Sequence, residues 1–308
     1  VDNLVPTRAL AINDDGVVVG AGRLKVGDGL GGYDKPFRTR DGVTSRLDMG
    51  GPSAGLARSV NAHGEAAGWV RRGALLWSVD GGWQPLARPP ACRGDVLVGQ
   101  LNDVGQMAGT VTCLRTDRRA ASLTQGGVTV ELGKLPGDVA SEAVGINNAG
   151  QVAGTSAGDF PHPLRAFRWE GGVMWPLGDL GGGESQAEAI NAHGHVIGQA
   201  RDARRFWRPF LHDGVTMHAL PTCGDAPTRP MAINSLDQVV GVEEGSHPGA
   251  GAVLIAQGAC HRLADLLDHS GTGWTQLAAY DINDAGVIVG SGRLDGIDRA
   301  FIARPLAP

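Results

Sequence analysis

AINDDGVVVG (residues 11–20) is the stretch from which the fold is read, because the chain repeats its pattern six more times. The other copies are SVNAHGEAAG (59–68), QLNDVGQMAG (100–109), GINNAGQVAG (145–154), AINAHGHVIG (189–198), AINSLDQVVG (232–241) and DINDAGVIVG (281–290). Each has Asn at its third position, at 13, 61, 102, 147, 191, 234 and 283, and Gly seven residues later. A second Gly stands three residues after the Asn in six copies, with Asp237 in its place in the sixth. An Asn side chain holds a turn by bonding the backbone two residues on, and Gly at the third following position suits the left-handed residue of a three-residue hairpin loop. The alternation behind it supplies the second strand. Asp takes up left-handed geometry less readily than Gly, so the sixth turn is expected to be the most irregular.

A second hairpin follows in each copy. Short apolar segments end near Phe37, Trp77, Leu123, Trp169, Phe210, Ile255 and Phe301, and after the first six of them come glycines and a last strand ending in Leu47, Leu86, Leu132, Leu177, Leu220 or Leu263. Each copy of about 44 residues thus holds four strands, here a to d, and four short antiparallel strands at that period are one propeller blade. The expectation is an all-β, seven-bladed β-propeller forming one domain over 1–308, with blades starting near residues 7, 54, 96, 142, 186, 229 and 277. The seventh copy ends without a d strand, while residues 1–6 form a spare strand around Leu4. That segment is expected to pair with the C-terminal blade and close the ring, which removes an open edge.

Composition agrees. Gly is high at 49 residues and charged residues are only 19%, which suits short strands and tight turns. A net charge of −5 excludes a general nucleic-acid binder, which needs a basic surface. No apolar run approaches the roughly 20 residues that span a bilayer. No leader is visible, since Val1 opens directly into structured-looking sequence; a first residue other than Met is what removal of a leader would leave. Four cysteines, Cys92, Cys113, Cys223 and Cys260, form no C-x-x-C pair. They read either as two disulfides of an oxidising compartment, nearest in sequence as Cys92/Cys113 and Cys223/Cys260, or as four buried thiols.

The repeat A-x-x-I-N-x-x-G-x-V-x-G followed by an Ala-Phe-x-Trp step resembles the HAF-type extracellular repeat family of bacteria over essentially the whole chain. Arg165-Ala166-Phe167 with Trp169, and Arg299-Ala300-Phe301, carry the likeness. Arg or Lys stands where the family usually has His. The resemblance implies a secreted or periplasmic repeat protein and transfers no catalytic position.

A site is expected at the channel mouth on the face of the long b–c and d–a connections, because variable loops on a rigid scaffold are where binding sits. Three residues before each Asn stand Leu10, Arg58, Gly99, Val144, Glu188, Met231 and Tyr280; five before stand Arg8, Leu56, Leu97, Glu142, Gln186, Arg229 and Ala278. Two before, small residues give way to Gln100 and Asp281. A purely structural position favours one residue in every copy. The candidate ligand-binding set is therefore Arg8, Arg58, Gln100, Glu142, Glu188, Arg229, Met231, Trp274 and Asp281, against the plain alternative of solvated charge around a water-filled channel. The b–c loops add Tyr33, Asp34, Arg71, Arg72, His162, Asp202 and His247. The sixth d–a connection, DLLDHSGTGWTQLAAYD (265–281), is the longest and supplies His269 and Trp274 ahead of Tyr280. Lys35, Arg119, Arg165, Arg208 and Arg299 recur one residue before the Ala/Pro-Phe step, which favours a repeated structural contact over a cationic ligand ring.

Three functions fit. The first is a binding propeller for a small molecule, glycan or peptide, monomeric and without cofactor or metal. The second is an enzyme on the same face, a polysaccharide lyase or a cyclase or isomerase, with Tyr280 and His269 as proton-transfer groups. The third is a protein-interaction propeller, which needs an exposed apolar patch. The Asn-Asp turns lack the further acidic ligands of a calcium loop, and the glycine runs lack phosphate-loop context.

Overall fold

The structure is a computed structural model that describes residues 3–27, 29–51, 54–71, 73–87, 94, 96–113, 118–159, 163–245 and 251–306. Its strands form seven separate antiparallel sheets, each built from strands consecutive in the chain. Blade 1 holds β1 (Leu4–Ile12), β2 (Val18–Val26), β3 (Gly29–Arg40) and β4 (Val43–Arg46). Blade 2 holds β5 (Gly55–Val60), β6 (Ala66–Val70), β7 (Gly73–Trp77) and β8 (Trp83–Pro85). Blade 3 holds β9 (Val96–Leu101), β10 (Met107–Cys113), β11 (Arg118–Gln125) and β12 (Val128–Gly133). Blade 4 holds β13 (Ala140–Ile146), β14 (Val152–Ala157), β15 (Leu164–Glu170) and β16 (Val173–Pro176). Blade 5 holds β17 (Gly181–Ile190), β18 (Val196–Asp202), β19 (Trp207–His212) and β20 (Met217–Ala219). Blade 6 holds β21 (Thr228–Ile233), β22 (Val239–Glu243), β23 (Ala252–Ala256) and β24 (Ala259–Arg262). Blade 7 has three strands among the described residues, β25 (Trp274–Ile282), β26 (Ile288–Leu294) and β27 (Ile297–Ala303). The all-β, seven-bladed propeller is thus the fold. No helix among the described residues is long and apolar enough to cross a membrane.

The seven copies of the turn fold alike. In blade 1 the N–H of Asn13 donates to the Val17 carbonyl and that of Gly16 to the Asn13 carbonyl, and the other six turns repeat both bonds. The Asn side chain reaches further than an Asx turn: its Oδ1 accepts from the backbone N–H four residues on, as from Val17, Glu65, Gln106 and Val287. The sixth turn is not irregular. Asp237 takes φ +57°, in the region its glycine counterparts occupy, and its N–H keeps the bond to Asn234. Its carboxylate offsets the backbone strain by accepting from Asn191 Nδ2 at 2.8 Å and meeting His195 Nδ1 at 2.9 Å.

Every blade buries its face against the next, giving seven apolar clusters for seven interfaces. Trp77, fully buried, sits with Ala11, Val19, Leu47 and Met49 between blades 1 and 2. Phe210 fills the 4–5 interface and Phe167 the 3–4 interface. The last cluster joins Val289 and Ala300 of blade 7 to Leu4, Ala9 and Phe37 of blade 1.

Ring closure differs from the sequence expectation. Residues 4–6 do not pair with β27; they extend β1, with Leu4 opposite Leu24 and Pro6 opposite Gly22. The reason is local: β2 is nine residues long and offers paired length on its own hairpin, so the chain start has a partner at no loop-closure cost. Face-to-face packing and a circle of hydrogen bonds close the ring instead. The side-chain amide of each Asn donates to the carbonyl of the Asn in the following blade, from Asn13 to Asn61, to Asn102, Asn147, Asn191, Asn234, Asn283 and back to Asn13. All seven Asn residues are buried.

Cys223 and Cys260 form a disulfide that ties the connection ahead of β21 to β24. The other expected pair involves Cys92, which lies outside the described residues.

Candidate functional site

Strands a and b in each blade pair with a one-residue shift at the same place. Ala9 faces Gly20 and Ala11 faces Val19, leaving Leu10 unpaired. The same skip isolates Arg58, Gly99, Val144, Glu188, Met231 and Tyr280. These are β-bulges, which re-aim a side chain. The bulge also explains the Gly seven residues after each Asn. A Cβ on Gly20 would lie 2.0 Å from the Arg8 carbonyl oxygen, and the other six glycines meet the equivalent carbonyl at 2.0–2.4 Å. No side chain fits there, so the bulged strand approaches its neighbour only where Gly stands.

All seven bulge residues line one axial cavity of about 290 Å³. Its wall runs from them to the Asn turns, and Asp14, Asp103, Asn148 and Asp284 stand at its rim. This differs from the expected face: the cavity opens among the uniform a–b turns. None of the residues five before the Asn lines it, and ion pairs hold Arg8 and Glu142 elsewhere. Arg8 bonds Asp34 on β3 of its own blade, and Glu142 bonds Arg119 on β11 of the blade before. Arg229 is the exception in direction. It grips the lumen residue Glu188 with two bonds, 2.8 and 3.1 Å.

Arg58 differs from every other charged group in the cavity. It projects into the lumen in reach of water, and no hydrogen bond or ion pair to it occurs among the described residues. The surrounding protein lowers its basicity by desolvation, against the supporting charge of Glu188, while Arg229 adds a further lowering. Its guanidinium remains a cation at neutral pH, with five N–H donors and no acceptor of its own. Leu10, Val144 and Met231 are apolar bulge residues of the wall. The Tyr280 hydroxyl lies 3.1 Å from Ser291 Oγ.

Gln100 and Asp281 line the cavity too, but their departure from the repeat has a structural use. Gln100 Oε1 accepts from the Ile146 N–H at 3.2 Å, and Asp281 Oδ2 from the Ile12 N–H at 2.9 Å. Ser59, at the same repeat position, accepts from Leu101. Each polar residue there clips its blade to the next. Desolvation pushes the Asp281 carboxyl up to about 7, in spite of the N–H bonds from Ile12 and Ile282 that stabilise its ionised form.

Two expected residues do not join the site. His269 sits exposed in a short 3-10 turn (His269–Gly271) outside the cavity lining. Trp274 packs edge-on against Phe301, ring centres 5.9 Å apart, and is held in the 6–7 interface. Much of the variable-loop charge is also engaged. Arg23 pairs with Asp34 at 2.8 Å, Arg208 with Asp202 at 3.1 Å, and Arg165 with Asp138 at 2.9 Å. The recurrent cations before the Ala/Pro-Phe step therefore make structural contacts at Arg119, Arg165 and Arg208. Arg72, His162 and His247 lie outside the described residues. A second depression of about 220 Å³ lies between blades 1 and 2 beside Tyr33, Asp34 and Trp69. Among the described residues, no group of three or more His, Cys, Asp or Glu side chains is placed to hold a metal ion.

Sequence reasoning selected the bulge positions by their variability but missed the bulge. The invariant Gly seven residues after the Asn was its signal.

No family model and no curated protein matches the chain. Solved structures do match. The β-propeller domain of the Trilobed protease from Pyrococcus furiosus, described as having an open velcro topology, aligns with a TM-score of 0.59 at 8% identity, covering 98% of this chain and 95% of that one. YCF48 bound to D1 peptide aligns at 0.58 and 11% identity, covering 100% and 96%. A TolB protein from Agrobacterium tumefaciens aligns at 0.54 and 14% identity, covering 86% and 95%. At such identities the likeness is one of fold.

Proposed function

We propose that this chain is a ligand-binding propeller whose axial cavity seats the anionic group of a small molecule, an acidic glycan or a peptide on Arg58. One observation carries the reading: the Arg58 guanidinium stands in the lumen without an ion-pair or hydrogen-bond partner among the described residues, while neighbouring Arg229 is engaged by Glu188. A carboxylate accepts two parallel bonds from such a fork, and the confined lumen strengthens the attraction. Leu10, Val144 and Met231 suit an apolar portion of the same ligand.

Calorimetric titration with galacturonate and with N-acetyl-dialanine tests this. Saturable binding of at least one is expected, weakened roughly tenfold or more in Arg58→Gln and unchanged in Arg299→Gln. Absence of binding by the wild type, or equal binding by Arg58→Gln, rejects it.

A secreted or periplasmic location belongs to the same reading and is supported by the Cys223–Cys260 disulfide, a bond typical of oxidising compartments. The HAF-type resemblance of the repeat points the same way. A catalytic variant of the reading draws its proton-transfer group from Asp281 rather than His269, because Asp281 faces the lumen and titrates near neutrality. Formation of unsaturated product from polygalacturonate, abolished in Asp281→Asn, would favour a lyase; no product with the wild type rejects that version.

A further inference from the structure

Six of the seven b–c pairings keep register throughout their described length. Blade 1 does not. Gly22 faces Lys35 and Leu24 faces Gly31, so Gly32, Tyr33 and Asp34 of β3 stand opposite Arg23 alone. Gly32 takes φ +77°, a conformation that glycine adopts without strain. The bulge is pinned from its own sheet. Asp34 accepts from Arg8 on β1 and, at 2.8 Å, from Arg23 Nε on β2. Tyr33 beside it is 70% exposed.

The surroundings make a seat of this bulge. The hairpin of blade 1 runs from the Gly20–Phe37 pair out to Val26–Gly29, six residues of β2. That of blade 2 runs from Gly68–Leu75 only to Val70–Gly73, two residues of β6. A long hairpin thus stands beside a short one, and the depression of about 220 Å³ lies at the step. Arg23 and all three bulge residues line it from blade 1, Leu56 and Trp69 from blade 2. Where blade 2 has Trp69, the other copies have Ala, Thr, Gln, Val or Ser. The depression lies on the side of the b–c connections, whereas the axial cavity opens among the a–b turns. The bulge has no packing use, since Tyr33 belongs to none of the seven apolar clusters. Bulges of this kind re-aim side chains beside functional sites.

The chemistry of the walls selects an occupant. Tyr33 offers a ring whose negative π-face attracts polarised C–H bonds, with few rotatable bonds to immobilise. Only Nε of Arg23 is engaged among the described residues, so its two terminal amino groups remain donors. Asp34 keeps lone pairs after its two bonds. A donor and an acceptor side by side match two adjacent hydroxyls, and the carboxylate disfavours an acidic sugar. We propose that this depression binds a neutral pyranose ring with equatorial hydroxyls, a unit of a β-linked glucan, packed on Tyr33 and bonded to Arg23 and Asp34. A proline-rich peptide also packs on aromatic grooves, but its rings offer no hydroxyl pair to the two charges.

Cellotetraose and laminaritetraose, titrated into the intact chain by calorimetry, test this. Saturable one-to-one binding of at least one is expected. Tyr33→Ala weakens it roughly tenfold, Tyr33→Phe keeps it within about threefold, and Arg23→Gln weakens it about fivefold. Hydrogen exchange on the unaltered protein gives a readout free of any variant: the glucan slows exchange across residues 29–35. Arg58→Gln leaves glucan binding unchanged and galacturonate does not compete, so failure here and failure of the channel reading are separate. No saturable binding of either glucan, equal binding by Tyr33→Ala, equal losses in Tyr33→Phe and Tyr33→Ala, protection confined to the a–b turns, or binding of decaproline in place of the glucans overturns the proposal.

Discussion

The side-chain amide of Asn283 donates to the main-chain carbonyl of Asn13 at 3.1 Å, joining residues 270 apart in sequence. It is the last link of a circle that passes through all seven blades. It spans the interface between the last blade and the first, beside the bonds from the Ile12 N–H to Asp281 and from the Asp284 N–H to Asp14.

Asn283→Ala removes that donor and also the acceptor for the Val287 N–H, which is left unpaired, while the Asn13 carbonyl keeps its bond from the Gly16 N–H. A loss of about 1–3 kcal/mol is expected. Asn283→Asp keeps the acceptor but not the donor, and places a carboxylate against a carbonyl, so it is expected to be no better. Urea denaturation of the two variants checks both.

The Asn pattern shows how much was legible. Seven Asn turns at one period gave the blade count and the hairpins; the residue three before each Asn stood out by its variability, but so did those two and five before it. Closure was not legible. Whether Leu4 pairs with β2 or β27 depends on the length of β2, and nothing in residues 1–6 distinguishes the two. The ion pairs that draw Arg8 and Glu142 off the axis were hidden because Asp34 and Arg119 lie 26 and 23 residues away on c strands, and the repeat does not show which side chain of an a strand meets them. Gln100 and Asp281 broke the pattern and so looked like ligand contacts, but the pattern cannot tell a contact with ligand from one with the next blade.

Gly68 pairs with Ala57 beside the Arg58 bulge, and a Cβ there would lie 2.1 Å from the Leu56 carbonyl oxygen. Gly68→Ala is expected to cost about 3 kcal/mol or more and to weaken anion binding through loss of the bulge. Gly29→Ala, whose Cβ meets nothing closer than 3.9 Å, is expected to stay within about 0.5 kcal/mol. Thermal unfolding of both variants makes the comparison.

Asp281 titrates near 7 in the folded chain and well below that when unfolded. The folded state therefore holds the proton more tightly. This contribution to stability is complete at pH below the ordinary carboxylate value and is lost as pH rises through about 7. Asp281→Asn removes the dependence and keeps an acceptor for Ile12. The stability of Asp281→Asn relative to wild type is expected to be higher at pH 8 than at pH 4; a pH-independent difference would contradict the assignment.

The Cys223–Cys260 bond closes a loop with a sequence separation of 37. Cross-links of that span stabilise by about 2–4 kcal/mol, chiefly by limiting the unfolded chain. Cys223→Ser is expected to lose that amount. Because the bond ties down the segment ahead of β21, amides around residues 220–227 should exchange faster than those of blade 4, as hydrogen exchange would show.

The account rests on an open cation in the lumen, and nitrogen-15 NMR of arginine side chains observes it directly. On titration with galacturonate, the Arg58 Nε–Hε signal is predicted to move saturably while those of Arg8 and Arg229, held by Asp34 and Glu188, move little. An Arg58 signal that stays still while other arginines respond would contradict the proposed site.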